Sequence, residues 1–401
     1  MFNIKSILSI SVILIASRFS LMVFNLLIVR FLPVEDYGRL TYADSILSLV
    51  TVIGGLGLHT IGIKEISQKN DNFNTIFTNV VSARVLFTLF LSILSVFLFY
   101  NKGYTSSFIL FNFLFTFFQV LLIDWFLIAI DAKKVLLISI LSGLIGQYIL
   151  FYYFFETNQI TIENIRLSQF LNVFITTSIM FLNCFKHFEL KEIRISKVKK
   201  YLKLSLPLLG SYAFQQTYYA GIPMAITSFL GFYEVGLYGA ASRLALVLVT
   251  LRNIVLQPLS KDLYRFNINQ YLTFFKKYFR NTILLIVFYY VTIYLYSEEI
   301  LYILYGDKYT GKEIINIFRL MMLLPIIYFI FIGDGAILTS TNNQKYILYS
   351  SLFASLSVFS VLFILKDISN FVVSFLFAEL LYFSIMRYNI LKLKKQQCLN
   401  L

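Results

Sequence analysis

Charged side chains recur inside long apolar stretches of this sequence. If those stretches lie in lipid, each charge at the bilayer centre costs about 2.5–3.5 kcal/mol on insertion scales. A membrane protein would not tolerate this many charges facing lipid. We therefore expect some of these side chains to extend to the membrane–water interface and the rest to face a protein interior or water. The residues concerned are Arg18, Asp44, Arg84, Asp124, Arg243, Arg252, Arg319, Asp334 and Glu379.

Helical spacing favours a common polar interior for several of these residues. Ser11, Arg18 and Asn25 are seven residues apart and would share one helix face. A second polar cluster lies between Pro207 and Pro223. We therefore predict a cationic lumen that binds substrate, lined by Arg18, Asn25, Asp44, Arg84, Gln215, Gln216, Tyr219, Arg243 and Arg319.

Simpler interpretations of the same charges stay open. Arg84 and Arg319 lie toward the ends of their apolar stretches and could extend to an interface. Arg252 lies nine residues after Arg243, on the opposite helix face, and could do the same. Asp44 and Arg243 could pair with each other and serve only packing.

Three acids could bind or relay a coupling proton or sodium ion, namely Asp124, Asp334 and Glu379. Asp334 lies between Gly333 and Gly335, where a helix could break, but near a helix end it could simply be solvated. Asp124 could simply lie at the water-filled cytoplasmic entrance of the lumen. The sequence has no Walker motif, no metal-ligand spacing and no nucleophile elbow. We therefore predict no cofactor and no catalytic residue.

The composition indicates that the helices containing these charged residues lie in a membrane. Of 401 residues, 59% are hydrophobic and 13% are charged, and the mean hydropathy is +0.78. Apolar runs of about 20 residues, the length that crosses a bilayer as a helix, are separated by short polar clusters. We predict an all-α polytopic membrane protein with about twelve transmembrane helices, near 6–29, 40–63, 76–100, 106–130, 135–155, 166–185, 204–229, 237–258, 281–304, 314–338, 346–365 and 369–391.

The distribution of lysine and arginine predicts the orientation. With a cytoplasmic N-terminus, 22 of the 34 basic residues lie in cytoplasmic segments and seven in outer ones. That bias predicts that both termini are cytoplasmic. The net charge of +14 then reflects topology, and nucleic-acid binding is not indicated. Arg166 is counted here as an outer residue and Arg387 as part of the C-terminal segment.

An internal repeat divides the chain into two halves. The stretch 31–45 returns at 229–243, at a constant offset of 198 residues, and each copy is predicted to be a short polar outer turn between two helices. Six spans per half predict two lobes related by a parallel pseudo-two-fold repeat. The predicted domains are an N-terminal six-helix lobe at 1–185, a basic cytoplasmic linker at 186–203 and a C-terminal six-helix lobe at 204–401.

Short motifs in this framework resemble a known family. The turn that ends in Asp36-Tyr37-Gly38, the glycines of 54–57 and the Gly306-Asp307 turn are similar to those of polysaccharide and O-antigen flippases. These proteins belong to the multidrug/oligosaccharidyl-lipid/polysaccharide exporter superfamily. The twelve spans and the long basic linker add to the resemblance. Pro33 stands where these proteins often have glycine.

The resemblance implies a function as well as a fold. Such flippases move an oligosaccharide linked to undecaprenyl pyrophosphate from the cytoplasmic to the outer leaflet, by rocking of the two lobes and without covalent chemistry. Guanidinium groups of the lumen suit a pyrophosphate, and its tyrosine, serine and asparagine side chains suit sugars. The resemblance further implies a monomer in the bacterial cytoplasmic membrane, in contact with membrane lipid and in one pathway with a polysaccharide polymerase.

Two other functions are weighed against this one. A cation-coupled multidrug exporter of the same superfamily would favour acids over arginines in its lumen. A membrane glycosyltransferase or polysaccharide polymerase often carries acids in its first outer loop, where this chain has Glu35 and Asp36. That loop is short, however, and its acid recurs as Glu234 in the second copy, which favours a structural role.

Overall fold

The computed structural model describes residues 19–67, 72–263, 266–341, 343–362 and 367–399. Every regular element within these ranges is helical, which confirms the all-α polytopic fold. Eight helical stretches in the described ranges are long and apolar enough to cross a membrane, compatible with the twelve predicted spans. The α-helices are α1 Phe19–Phe31, α2 Val34–Gly55, α3 Leu58–Ser67, α4 Phe73–Asn101, α5 Ser106–Val120, α6 Asp124–Ala129, α7 Lys133–Glu156, α8 Ile162–Cys184, α9 Ile195–Tyr219, α10 Gly221–Phe229, α11 Phe232–Leu263, α12 Ile268–Leu295, α13 Ser297–Tyr305, α14 Lys312–Met321, α15 Leu323–Ile330, α16 Asp334–Ser340, α17 Lys345–Leu362 and α18 Ile368–Leu399.

Short polar caps explain where several helices begin. Asn72, Thr105 and Thr161 each accept a backbone N–H of the first turn that follows, in α4, α5 and α8. Asn267 forms a reciprocal capping box with Gln270 at the start of α12. Each cap satisfies N–H groups that have no partner inside the helix, which stabilises the helix start by about 1 kcal/mol.

Several predicted spans are interrupted rather than continuous. The span 40–63 breaks at Leu56 and Gly57, which both have positive φ, and the span 106–130 breaks between Val120 and Asp124. The span 314–338 divides into three helices, with Gly333 at φ 87° before the last. Broken helices expose backbone groups, which a membrane tolerates only inside protein or beside a wet cavity. Apolar periodicity does not reveal such breaks.

The described residues form two compact units. The first unit contains residues 19–32 and Ala43–Ala213, and its core includes Phe77, whose ring centroid lies 4.3 Å from that of Phe126. The second unit contains Pro33–Tyr42 and the residues from Phe214 onward. The division into 1–185, 186–203 and 204–401 stays a prediction.

The basic segment predicted as a linker is structured. Two short 3-10 turns lead into α9, and Glu192 in this segment accepts a 2.8 Å hydrogen bond from Thr75 at the start of α4. Further along, Lys200 of α9 forms a 3.3 Å ion pair with Glu65 of α3. The segment therefore packs along the first unit as part of it.

The two copies of the repeated turn are mostly helical. α2 begins at Val34 and α11 at Phe232, directly after Gly231 at φ 105°. The predicted polar turn is thus shortened to a few residues in each copy. Within the second unit, a Cβ added at Gly38 of α2 would overlap the carbonyl oxygen of Phe232 in α11. The two helix starts cross backbone to backbone.

Candidate functional site

A cavity of about 290 Å³ that is lined by both polar and apolar side chains lies among the helices of the first unit. Helices α1, α5, α7 and α8 and the break before α6 form its wall. Its apolar lining consists of Leu21, Phe24, Phe115, Leu122, Ile140, Leu144, Val173 and Met180. Its polar lining consists of Asn25, Gln119, Asp124, Gln147, Gln169, Asn172 and Thr176.

Helices α7 and α8 hold the amide groups of this wall in a fixed arrangement. Asn172 donates from Nδ2 to Gln147 Oε1 at 2.6 Å, and Thr176 donates to Asn172 Oδ1 at 3.3 Å. The helices approach closely because α7 has a glycine at the contact, Gly143, where a Cβ would overlap Thr176 and Asn172. Small residues allow such approach between membrane helices. The amide wall thus depends on the glycine.

Asp124 contributes the cavity's acid, at the start of α6. Arg84 of α4 donates from Nη1 to the carbonyl oxygen of Leu122 at 3.1 Å, in the break before α6, and interacts electrostatically with Asp124. Arg84 is 8% exposed and is not among the cavity-lining residues. It therefore neither extends to an interface nor lines the cavity, but supports the broken helix and balances Asp124.

Asp44 is held by an arginine that sequence reasoning misplaced. Arg166 Nη2 donates to Asp44 Oδ1 at 2.7 Å, and the Arg166 guanidinium lies 5.0 Å from the ring centroid of Phe115. The sequence predicts a helix that begins at residue 166 and counts Arg166 with the outer segment, whereas α8 begins at Ile162 and the Arg166 side chain is fully buried. The cap at Thr161 was the sequence signal that would have placed it inside the helix.

In the second unit the predicted polar cluster of α9 meets α18. Tyr218 donates to Glu379 Oε1 at 3.1 Å, and Glu379 is buried. Gln215 donates to the Tyr382 hydroxyl at 3.3 Å, and the Tyr219 hydroxyl lies 2.7 Å from that of Tyr328. Gln216, on the same helix, is half-buried. Of the predicted residues, the structure brings Gln215, Tyr219 and Glu379 to this cluster.

Asp334 lies in a buried ion pair. Arg387 donates from Nε to Asp334 Oδ2 at 2.9 Å and its Nη2 lies 2.8 Å from Oδ1, while the Tyr271 hydroxyl also donates to Asp334. The solvated interpretation of Asp334 is wrong, since the residue is fully buried. Arg387 lies within α18, inside the predicted span 369–391, although the count of basic residues grouped it with the C-terminal segment. Its guanidinium stacks 3.7 Å above the ring centroid of Phe275.

Two of the remaining predicted residues, Arg319 and Arg243, belong to the second unit. Arg319 donates to Ser297 at 2.9 Å and lies 4.3 Å from the ring centroid of Tyr294. Arg243 is half-buried in the second unit, with Nε 3.5 Å from the Tyr37 hydroxyl. Arg18 lies outside the described residues.

Comparison with known proteins gives one family and one fold. The model of a family described as polysaccharide biosynthesis protein matches residues 4–260. No curated protein matches the sequence.

Several solved structures share the fold at low sequence identity. The lipid II flippase MurJ in an inward closed conformation is 16% identical with a TM-score of 0.72, over 95% of this chain and 87% of that one. An inward-facing multidrug resistance MATE transporter of the MOP superfamily is 12% identical with a TM-score of 0.69, over 94% and 96%. A MOP superfamily transporter from Pyrococcus furiosus, described as having a binding pocket of reverse polarity, is 15% identical with a TM-score of 0.64, over 97% and 96%. These neighbours are transporters and a flippase rather than enzymes.

Proposed function

Because this chain belongs to the polysaccharide biosynthesis protein family, we propose that it is a flippase for a lipid-linked oligosaccharide. Its cargo is an undecaprenyl-pyrophosphate-linked repeat unit of an O-antigen or capsule, moved from the cytoplasmic to the outer leaflet. The chain acts as a monomer in the bacterial cytoplasmic membrane, with both termini cytoplasmic, and delivers its cargo to a polysaccharide polymerase. The flippase named among the solved structures, MurJ, supports a lipid-linked cargo.

The observation that carries the proposal is the polar cavity in the first unit. Five amide side chains line it, namely Asn25, Gln119, Gln147, Gln169 and Asn172. A membrane protein that needed only to fold would bury apolar side chains here, because polar groups inside a membrane are expensive. Amides both donate and accept hydrogen bonds, which matches the hydroxyl groups of a saccharide.

The mechanism proposed is alternating access, with the prenyl tail remaining in lipid. Arg18 and Arg243 are each kept as a proposed donor to the pyrophosphate. Arg84 and Arg319 are assigned structural roles, because they donate to a backbone carbonyl and to Ser297. Glu379 is retained as the proposed site for a coupling proton or sodium ion. Asp334 is less suited to that role because it is ion-paired with Arg387.

The two other functions have less support. A drug exporter for cations would gain from several acids in its cavity, whereas Asp124 is the one acid among the described lining residues and interacts electrostatically with Arg84. A glycosyltransferase would need a reactive acid in the first outer turn, whereas Glu35 lies on α2 and forms a 3.3 Å ion pair with Arg39. The acids of this turn, Glu35 and Asp36, lie in the first turn of α2, where negative charge stabilises the N-terminus of a helix.

Complementation tests the proposal. The chain is expressed in a strain that makes the matching repeat unit but lacks its own flippase, and surface polysaccharide is quantified beside the lipid-linked precursor. We expect restored polymer and a fall in precursor. Unrestored polymer, with the protein present in the membrane, would contradict the proposal, and resistance to cationic drugs in place of polymer would favour an exporter.

A further inference from the structure

We propose that the cavity of the first unit binds an uncharged sugar residue of the cargo and does not bind the pyrophosphate. This inference rests on the proposed flippase function and assigns a ligand class to one of its sites. It separates two tasks, since the cavity holds the sugar and side chains outside the cavity lining hold the anion.

The lining matches the chemistry of a sugar ring. A pyranose has hydroxyl groups around its edge and C–H groups on its faces, and the cavity combines amides with apolar side chains such as Phe24 and Leu144. Asn172 is fixed by its bonds to Gln147 and Thr176. Its amide therefore needs no reorganisation to meet a ligand, which favours binding.

One lining group has an unmet hydrogen-bonding need. The Oε1 atom of Gln169 is buried and, among the described residues, accepts no hydrogen bond. A buried acceptor without a donor is destabilising, and such groups in native proteins call for an explanation. A ligand hydroxyl in the cavity would supply the donor.

The charges of the cavity lining disfavour the binding of an anion in this cavity. Among the described residues, the cavity lining includes Asp124 but no lysine, arginine or histidine. Arg84 is directed to the Leu122 carbonyl, and Arg166 is paired with Asp44 behind Phe115. A pyrophosphate in the cavity would therefore face a carboxylate without a lining cation, which disfavours its binding.

The volume of the cavity limits how much of the cargo can fit inside it. At about 290 Å³ the cavity is at the lower limit of ligand pockets, which begin at about 300 Å³. It suits one or two sugar rings. A whole repeat unit would have to extend beyond it.

The chain carries its own reporter for a binding experiment. Trp125, the single tryptophan of the sequence, is buried directly after the cavity residue Asp124. The full chain in lipid nanodiscs is titrated with methyl glycosides of neutral hexoses and N-acetylhexosamines, and separately with sodium pyrophosphate, while Trp125 fluorescence is recorded. We expect a saturable change with at least one neutral glycoside and none with pyrophosphate.

Variants assign the signal to the cavity. Gln169→Leu and Asn172→Leu should each weaken glycoside binding about tenfold, the effect of losing one or two hydrogen bonds. Asn172→Gln should recover part of the loss. Asn183→Leu is the matched control, because Asn183 lies on the same helix but is exposed and donates to its own helix at Ile179. No response to any glycoside, a response to pyrophosphate, or equal losses in the control would overturn the proposal.

A cellular measurement separates this inference from the flippase function. In the complementation strain, Gln169→Leu should lower surface polymer while the control variant behaves as wild type. If the wild-type chain restores polymer and both cavity variants match it, the sugar site is wrong and the flippase stands. If the wild-type chain restores nothing, the flippase function fails, whereas glycoside binding in nanodiscs would still support the cavity as a sugar site.

Discussion

Gly38 and Gly236 occupy equivalent positions in two copies of one sequence, and each lies against the backbone of the other copy. A Cβ at Gly38 would overlap the Phe232 carbonyl oxygen, and a Cβ at Gly236 would overlap the Val34 carbonyl oxygen. Val34 and Phe232 are themselves equivalent at the 198-residue offset. The repeat is therefore expressed as a reciprocal helix crossing in the second unit, and glycine is required at both contact points.

Adding a side chain at this crossing should destabilise the protein. Gly38→Val and Gly236→Val should each cost about 1–3 kcal/mol or more, because the backbones must separate. Thermal unfolding in detergent measures the loss. Gly55→Ala, at a position where a Cβ meets no neighbouring atom, is the matched control. Unchanged unfolding temperatures for both valine variants would contradict the crossing.

The Asp44–Arg166 pair should be structural. Asp44→Asn removes the acid that pairs with a fully buried guanidinium and should lose about 3–5 kcal/mol. Arg166→Met should lose less, because the Asp44 side chain is 28% exposed. The double variant should be more stable than the sum of the single losses predicts, because neither charge is then left alone. Thermal unfolding of the wild type, the two single variants and the double variant measures the interaction energy between Asp44 and Arg166. Additive losses would show that the two side chains act independently.

Glu379 and Asp334 should behave differently as candidates for ion coupling. Glu379→Gln should leave the protein folded, because Tyr218 can donate to the amide oxygen, and should remove any dependence of transport on an imposed proton gradient. Asp334→Asn should lower stability, because Arg387 would keep a buried charge. Vesicle transport under proton and sodium gradients is the measurement. Wild-type transport that ignores both gradients would exclude both residues from coupling.

The proposed anion site makes a prediction for two arginines. Arg18→Ala and Arg243→Ala should keep the protein in the membrane but abolish surface polysaccharide, because a pyrophosphate would lose its guanidinium donors. Arg319→Ala is a useful comparison, since Arg319 donates to Ser297 and its loss should act through stability. Wild-type polymer from both of the first two variants would contradict the anion site.

The sequence predicts the membrane class, the repeat and most helix positions, because each depends on apolar runs and short polar segments. The glycines beside Asp334 indicate the helix break at Gly333, but the sequence does not predict the breaks at Leu56 and between Val120 and Asp124. These depend on a few residues whose backbone conformation is set by packing. The repeated turn was also predicted incompletely. Its polar residues suggested a loop, but most of them lie in the first turns of α2 and α11.

The candidate site was predicted in part. Asn25 and Asp124 do line the cavity, but its amide wall on α7 and α8 was missed. Uncharged amides such as Gln147 and Asn172 carry no strong sequence signal, whereas charges within apolar runs are conspicuous. Those charges proved misleading at Arg84, because an arginine inside a membrane helix can also be held by a backbone carbonyl at a helix break.

Translocation by the purified chain tests the central claim most directly. The protein is reconstituted into vesicles that contain a lipid-linked oligosaccharide, and an impermeant glycosidase measures the fraction of sugar in the outer leaflet over time. We expect that fraction to rise above the level of protein-free vesicles, with a smaller rise for Gln169→Leu and no matching movement of a phospholipid without sugar. A fraction equal to that of protein-free vesicles, with correctly folded protein present, would contradict the account.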